Sequence, residues 1–161
     1  MKNITHLFYD YFLTLGFTEA LAKWSNMVIL LLGLLIVIVG INYLAKALLV
    51  QAFSRFALSS KTKFDDLLVK NKVPKNLAYI FPMFFALELI PVVFDDFLYV
   101  EHIIEQGLKA LGVFLVLRIT QSLLKTFKDY LKTFPNLKDK PIDSYIQVFM
   151  IFAWVAGLML V

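Results

Sequence analysis

The sequence predicts an all-α membrane protein, with four transmembrane helices behind an N-terminal amphipathic helix at the membrane interface. Three observations carry this. Residues Trp24–Ala45 form 22 positions without a charged side chain, and at 1.5 Å per residue such a helix crosses a hydrocarbon core of ~30 Å. The composition is 60% hydrophobic with 16 Phe and a mean hydropathy of +0.77, more apolar surface than a water-soluble domain of 161 residues can hide. The basic residues gather beside alternate apolar runs, the pattern of a chain threaded back and forth through a bilayer.

Residues 1–23 place Leu7, Phe8, Tyr11, Phe12, Leu15 and Phe17 at close to helical spacing, with Asp10, Thr14 and Glu19 between them. A short interfacial helix follows, broken near Gly16, with Thr18 as an N-cap for the next helix; a frayed terminus is the alternative. The remainder, 24–161, reads as one transmembrane module. Span one is 24–45. The segment 46–75 carries Lys46, Arg55, Lys61, Lys63, Lys70, Lys72 and Lys75 against only Asp65 and Asp66, so it is expected in the cytoplasm with the N-terminus outside. Ala45–Leu58 keeps helical character and extends span one. Thr62 with Asp65 resembles a capping box opening a helix over Phe64–Asn71, which Pro74 would end.

Span two, 76–94, contains Pro82, Pro91 and a single charge, Glu88; kinks are expected near both prolines. Asp95, Asp96 and Glu101 follow without a basic residue, as expected outside. Span three, 103–124, is interrupted by Glu105, Lys109 and Arg118, but Ile104, Leu108, Leu111, Leu115 and Ile119 recur at helical intervals. The segment 125–143 is again lysine-rich, with Lys125, Lys128, Lys132, Lys138 and Lys140 against Asp129 and Asp139, and is expected in the cytoplasm. Pro141 opens span four, 144–161. The chain stops while still apolar, the pattern expected of a fragment.

Several chemistries find no support. There is no cysteine, which excludes disulfides and thiol chemistry. No glycine-rich phosphate loop, Ser/His/Asp arrangement or HExxH is present, so no enzyme activity and no cofactor are expected. His6 and His102 lack partners at ligand spacing, and no metal site is expected. The net charge of +4 flanks apolar runs and fits anionic lipid, not nucleic acid. Arg55, Lys61, Lys63, Arg118 and Lys125 are candidate lipid-headgroup contacts. Glu88 and Lys109 lie equally far from the turn between spans two and three and form a candidate intramembrane ion pair. Arg118 falls opposite Tyr79 by the same symmetry. Ala153 and Gly157, and Gly33 and Gly40, are spaced as small residues at helix contacts.

Three ordered segments resemble a known family. Lys61-Thr62-Lys63-Phe64-Asp65-Asp66-Leu67, then Leu77-Ala78-Tyr79-Ile80-Phe81-Pro82, then Lys140-Pro141-Ile142-Asp143-Ser144-Tyr145-Ile146-Gln147-Val148 are similar to the five-span branch of the small-conductance mechanosensitive channels, the MscS-like proteins. Asp65, Asp66, Pro141, Tyr145 and Gln147 are the motif residues. Phe64 stands where tryptophan is commoner, and Asp143 where lysine is commoner. The family's glycine- and alanine-rich pore helix and its cytoplasmic vestibule, which follow span four, are not in this sequence. The resemblance implies the peripheral, lipid-facing, tension-sensing part of a homo-oligomeric, typically heptameric channel in a bacterial inner membrane, giving osmotic protection. A small transporter subunit, with Glu88, Lys109 and Arg118 along a polar path, and a membrane scaffold for a larger partner are the alternatives.

Overall fold

A computed structural model describes residues 6–60, 62–137 and 140–159. The architecture is all-α, with helices α1 (Leu7–Thr14), α2 (Glu19–Ser59), α3 (Lys63–Lys70), α4 (Val73–Leu77), α5 (Ile80–Val93), α6 (Leu98–Leu131) and α7 (Ile142–Met159), and a 3₁₀ turn at Pro135–Leu137. Four stretches are long and apolar enough to cross a membrane: α2, α4 with α5, α6, and α7.

α1 ends where Gly16 takes φ +86°, a left-handed conformation open to glycine at little cost. The Phe12 and Phe17 rings meet edge to face at 5.3 Å across that turn, folding α1 back against α2. Thr18 is the extended N-cap of α2, though its hydroxyl makes no capping hydrogen bond. α2 then runs unbroken for 41 residues. At 1.5 Å per residue that is roughly 60 Å, twice a hydrocarbon core. The uncharged stretch 24–45 fills one thickness, and 46–59 projects beyond it as a helix, not a loop.

α3 begins one residue before the expected start, after Thr62, and ends before Asn71. Pro74 does not terminate it. The break is made by Lys72 at φ 61°, a left-handed residue that serves as N-cap to α4. Pro74 instead sits at the start of α4, where its missing N–H has no intrahelical acceptor to lose.

Pro82 is the third residue of α5, and the N–H it lacks would have reached the Ala78 carbonyl. The interruption of this span falls there, at Ala78–Tyr79, near Pro82 as expected. Pro91 does lie inside α5 and leaves the Leu87 carbonyl without its helical donor.

The buried core is small. Met27 and Leu34 of α2 pack with Ile90, Val93 and Phe94 at the end of α5, and Ile104 and Leu108 of α6 close over them. α5 therefore lies against both α2 and α6, and α7 packs on α6. Gly112 and Gly157 mark the tightest helix contacts. A Cβ at 112 would stand 3.2 Å from Met83 Cε, and one at 157 would stand 3.0 Å from Leu117 Cδ1. Gly33 and Gly40 have no such neighbour and lie exposed on α2. In the four apolar stretches only 6% to 33% of residues are buried within the chain. The remaining apolar surface requires lipid or protein around it.

Candidate functional site at the lysine-rich end

The bundle has two chemically different ends. At one, Lys23 Nζ pairs with Asp96 Oδ1 at 3.2 Å and His6 Nε2 lies 3.8 Å from Asp95 Oδ2. Trp24 packs on Phe97 with ring centroids 4.6 Å apart. The start of α2 and the α5–α6 turn thus share a level. Lys46 lies 23 residues further along α2 than Lys23, or ~35 Å, and belongs to the opposite, lysine-rich end.

That end is organised by the last four turns of α6. Phe64 of α3 sits against Phe127 and Tyr130, at 5.6 and 5.3 Å between centroids and near perpendicular, an arrangement favoured by aromatic quadrupoles. Thr126 is completely buried; its hydroxyl donates to the Ser122 carbonyl at 2.9 Å and lies 3.5 Å from the Leu67 carbonyl. Asn71 Nδ2 donates to Asp129 Oδ2 at 3.0 Å, and Asn76 Nδ2 donates to Ser122 Oγ. On the α7 side, Lys128 and Lys132 each place Nζ 2.7 Å from a different oxygen of Asp143. They are one turn apart on α6, so a single carboxylate spans both.

Asp65 is held by hydroxyls and not by lysines. Ser60 and Thr62 both hydrogen-bond its carboxylate, which holds it below the usual carboxylate range. Thr62 occupies the N-cap position, but its hydroxyl binds the Asp65 side chain instead of a backbone N–H, so the capping box is not formed as expected. Neither Asp65 nor the exposed Asp66 makes an ion pair among the described residues.

The charges at membrane depth do not gather. Lys109 Nζ pairs with Glu105 Oε1 at 2.8 Å, four residues back on the same helix, and not with Glu88. The i,i+4 spacing supplies a carboxylate without any constraint on how α5 and α6 are rotated. Glu88 is exposed on α5. Arg118 and Tyr79 do share a neighbourhood, since both line one cavity between α2, α5 and α6. The cation stacked on the Tyr79 ring is Lys46, with Nζ 4.0 Å from the centroid.

Arg55, Lys63 and Lys125 are exposed, as headgroup contacts must be; Lys61 lies outside the described residues. Pro141 directly precedes α7, and Tyr145 and Gln147 project from its first turns, exposed. Sequence reasoning missed the bonds Asn71–Asp129, Asn76–Ser122 and Asp143 with its two lysines. Asp143, a lone acid opening an apolar span beside a lysine run, was the one legible signal. Among the described residues no group of three or more His, Asp or Glu is close enough to hold a metal ion.

These features define a multi-pass α-helical membrane protein. In comparison with known proteins, no family model, no curated protein and no solved structure matches the chain.

Proposed function

We propose that this module is the peripheral, tension-sensing region of an MscS-like mechanosensitive channel subunit, with conduction assigned to a further helix and not to these spans. One observation carries the reading. The three segments that resemble the family are separated by up to some 80 residues in sequence, yet the first, the third and Asn76 just before the second dock on the same stretch of α6. Phe64 meets Phe127 and Tyr130, Asn76 meets Ser122 beside the second segment, and Asp143 meets Lys128 and Lys132. Phe64, Asn76 and Asp143, in or beside the three segments, build one joint at the lysine-rich end, while Asp66, Pro141, Tyr145 and Gln147 stay exposed and the spans remain lightly packed against one another.

That combination suits a tension sensor. Tension favours the state that occupies more membrane area, so helices with large lipid contact and little mutual burial respond to it. A joint tying α3, α6 and α7 together passes their displacement to whatever follows α7. On this reading the lysine-rich end is cytoplasmic by the positive-inside rule. α1 and the Asp95–Asp96 turn then face the periplasm of a bacterial inner membrane, and the subunits assemble around a shared pore as a homo-oligomer, with seven copies implied by the resemblance. The transporter alternative loses its polar path, because Glu88, Lys109 and Arg118 are not brought together.

The test is patch recording from cells expressing the polypeptide that carries this module, intact and with α1 to α5 deleted. A shifted tension threshold in the deletion is expected. An unchanged threshold, or no tension-gated conductance in the intact protein, overturns the reading.

A further inference from the structure

α5 turns polar groups outward at membrane depth. Its buried side, with Pro82, Ala86, Ile90 and Val93, faces the rest of the chain. The opposite side carries Phe81, Phe84, Phe85, Glu88 and Pro91, all exposed. Glu88 is the one charge on that stripe, and among the described residues it has no ion-pair or hydrogen-bond partner. One residue away, the Leu87 carbonyl has lost its helical donor to Pro91. Two acceptors thus stand together on a face that, in hydrocarbon, has no water to satisfy them.

α6 presents the complementary donors. The Lys109 side chain is 58% exposed, and its ammonium has three N–H groups, of which Glu105 engages one. Gln106, one turn nearer the start of α6, is also exposed. The levels agree. Glu88 lies five residues, or ~8 Å, from Val93 at the end of α5, and Lys109 lies eleven residues, or ~16 Å, from Leu98 at the start of α6. Side chains lean toward the N-terminus of their own helix, so Glu88 reaches deeper and Lys109 reaches back toward the turn. Within one chain the two do not meet, because Glu88 lies on the side of α5 opposite Ile90 and Val93, which pack with α2 and α6. A partner for Glu88 must come from outside the chain.

We infer that α5 of one copy packs against α6 of a second copy, with Glu88 received by Lys109 and Gln106 across the contact. Charge complementarity names the occupant: a lone carboxylate facing hydrocarbon is costly, whereas one paired with an ammonium on a neighbouring helix holds the two together. The helices run antiparallel, so Pro91 falls beside Gln106, whose amide donates to the Leu87 carbonyl. Two turns the other way, Phe81 falls opposite Val116; these are 48% and 60% exposed. Every copy carries both faces, so the contact repeats into a closed assembly. The inference rests on the homo-oligomeric part of the reading above, to which it assigns an interface, and not on tension gating.

The chain has no cysteine, so disulfide cross-linking reads the contact without background. The full chain is co-expressed as two differently tagged copies, one with Phe81→Cys and one with Val116→Cys, and the membranes are oxidised with copper phenanthroline. A mixed dimer is expected, about tenfold above that from Val116→Cys with Tyr43→Cys, a pair at similar depth with the second cysteine on an exposed face of α2. Lys109→Gln should cut the mixed dimer by about tenfold. Glu88→Lys with Lys109→Glu in every copy should restore it, which a general loss of folding would not do. Helical circular dichroism and melting temperature show that each variant is folded. A mixed dimer no commoner than the control pair, one unchanged by Lys109→Gln, or one not restored by the exchange overturns the inference. Light scattering of the chain without cross-linking separates the failures. Oligomers lacking the Phe81–Val116 link would assemble through another face, and the homo-oligomeric reading would stand without this interface. Single chains would leave both faces to lipid and overturn both.

Discussion

Gly157 of α7 meets Leu117 of α6 so closely that a Cβ at 157 would stand 3.0 Å from Leu117 Cδ1 and 3.1 Å from Val113 Cγ1. Outside this contact α7 is largely exposed, with Tyr145, Phe152 and Leu158 all more than two-thirds accessible. Its position on α6 therefore depends on a few contacts, Gly157 and the edge-to-face pair of Trp154 with Phe114 toward one end and Asp143 at the other. Gly157→Leu should overpack the first contact and cost about 1–3 kcal/mol. Reversible unfolding in mixed micelles measures this, and Gly33→Leu, at an open exposed position, serves as the comparison with little expected loss.

Asp143 ties the other end through Lys128 and Lys132. Replacing it by Ala should loosen the α6–α7 joint. Asp143→Lys should loosen it further, because three ammonium groups would then repel at close range. Because the carboxylate is exposed, salt should weaken the native tie. Spin-label distances between the C-terminal turn of α6 and the N-terminal turn of α7 report it. Distributions that broaden in the order native, Ala, Lys are expected. Identical distributions would show that the lysines do not hold α7.

Lys72 carries the strain of the α3–α4 break, at φ 61°. A left-handed non-glycine residue costs about 1–2 kcal/mol, and glycine returns part of that gain as unfolded-state entropy. Lys72 is exposed, so Lys72→Gly should stabilise the protein by about 0.5–1 kcal/mol, read as a higher melting temperature in detergent.

The Asp65 carboxylate is held below its usual range by the Ser60 and Thr62 hydroxyls. A depressed folded value means that the stabilisation is fully present above the unfolded value near pH 4, and is lost as pH falls through the lower folded value. Carboxyl carbon NMR should therefore show Asp65 titrating below the ordinary carboxylate range. Ser60→Ala with Thr62→Val should return Asp65 to the ordinary range. If it titrates normally in the native protein, the hydroxyl cradle is not formed in solution.

Much of the fold was legible because transfer from water to lipid is close to a local sum over side chains. Trp24–Ala45 reads as a span wherever it stands, and Gly16 and Thr18 mark the turn before it by backbone chemistry alone. Element ends were less legible. Pro74 looked like the end of α3, yet it falls in the first turn of α4, where a missing N–H costs nothing. Whether a proline opens or ends a helix depends on where its neighbours place the first turn, and Lys72, a residue with no turn signature, decided it.

The candidate site was legible only in part. Glu88 and Lys109 stand at matching depth, but depth says nothing about rotation around each helix axis, and Glu105 offered Lys109 a partner on its own helix. Asn71, Asn76 and Thr126 looked like ordinary polar residues near span ends, and become a joint only when α3 and α4 fold onto α6.

The sequence by itself determined an all-α protein with four apolar stretches of bilayer length and a segregated lysine charge, because length, hydropathy and charge are properties of each segment alone. Only the tertiary structure decided that Phe64, Asn76 and Asp143 converge on one stretch of α6. It alone set Lys46 over Tyr79 and left Arg118 without a carboxylate. Those relationships depend on helix rotation and on contacts between distant segments, which the periodicity of any single helix does not encode.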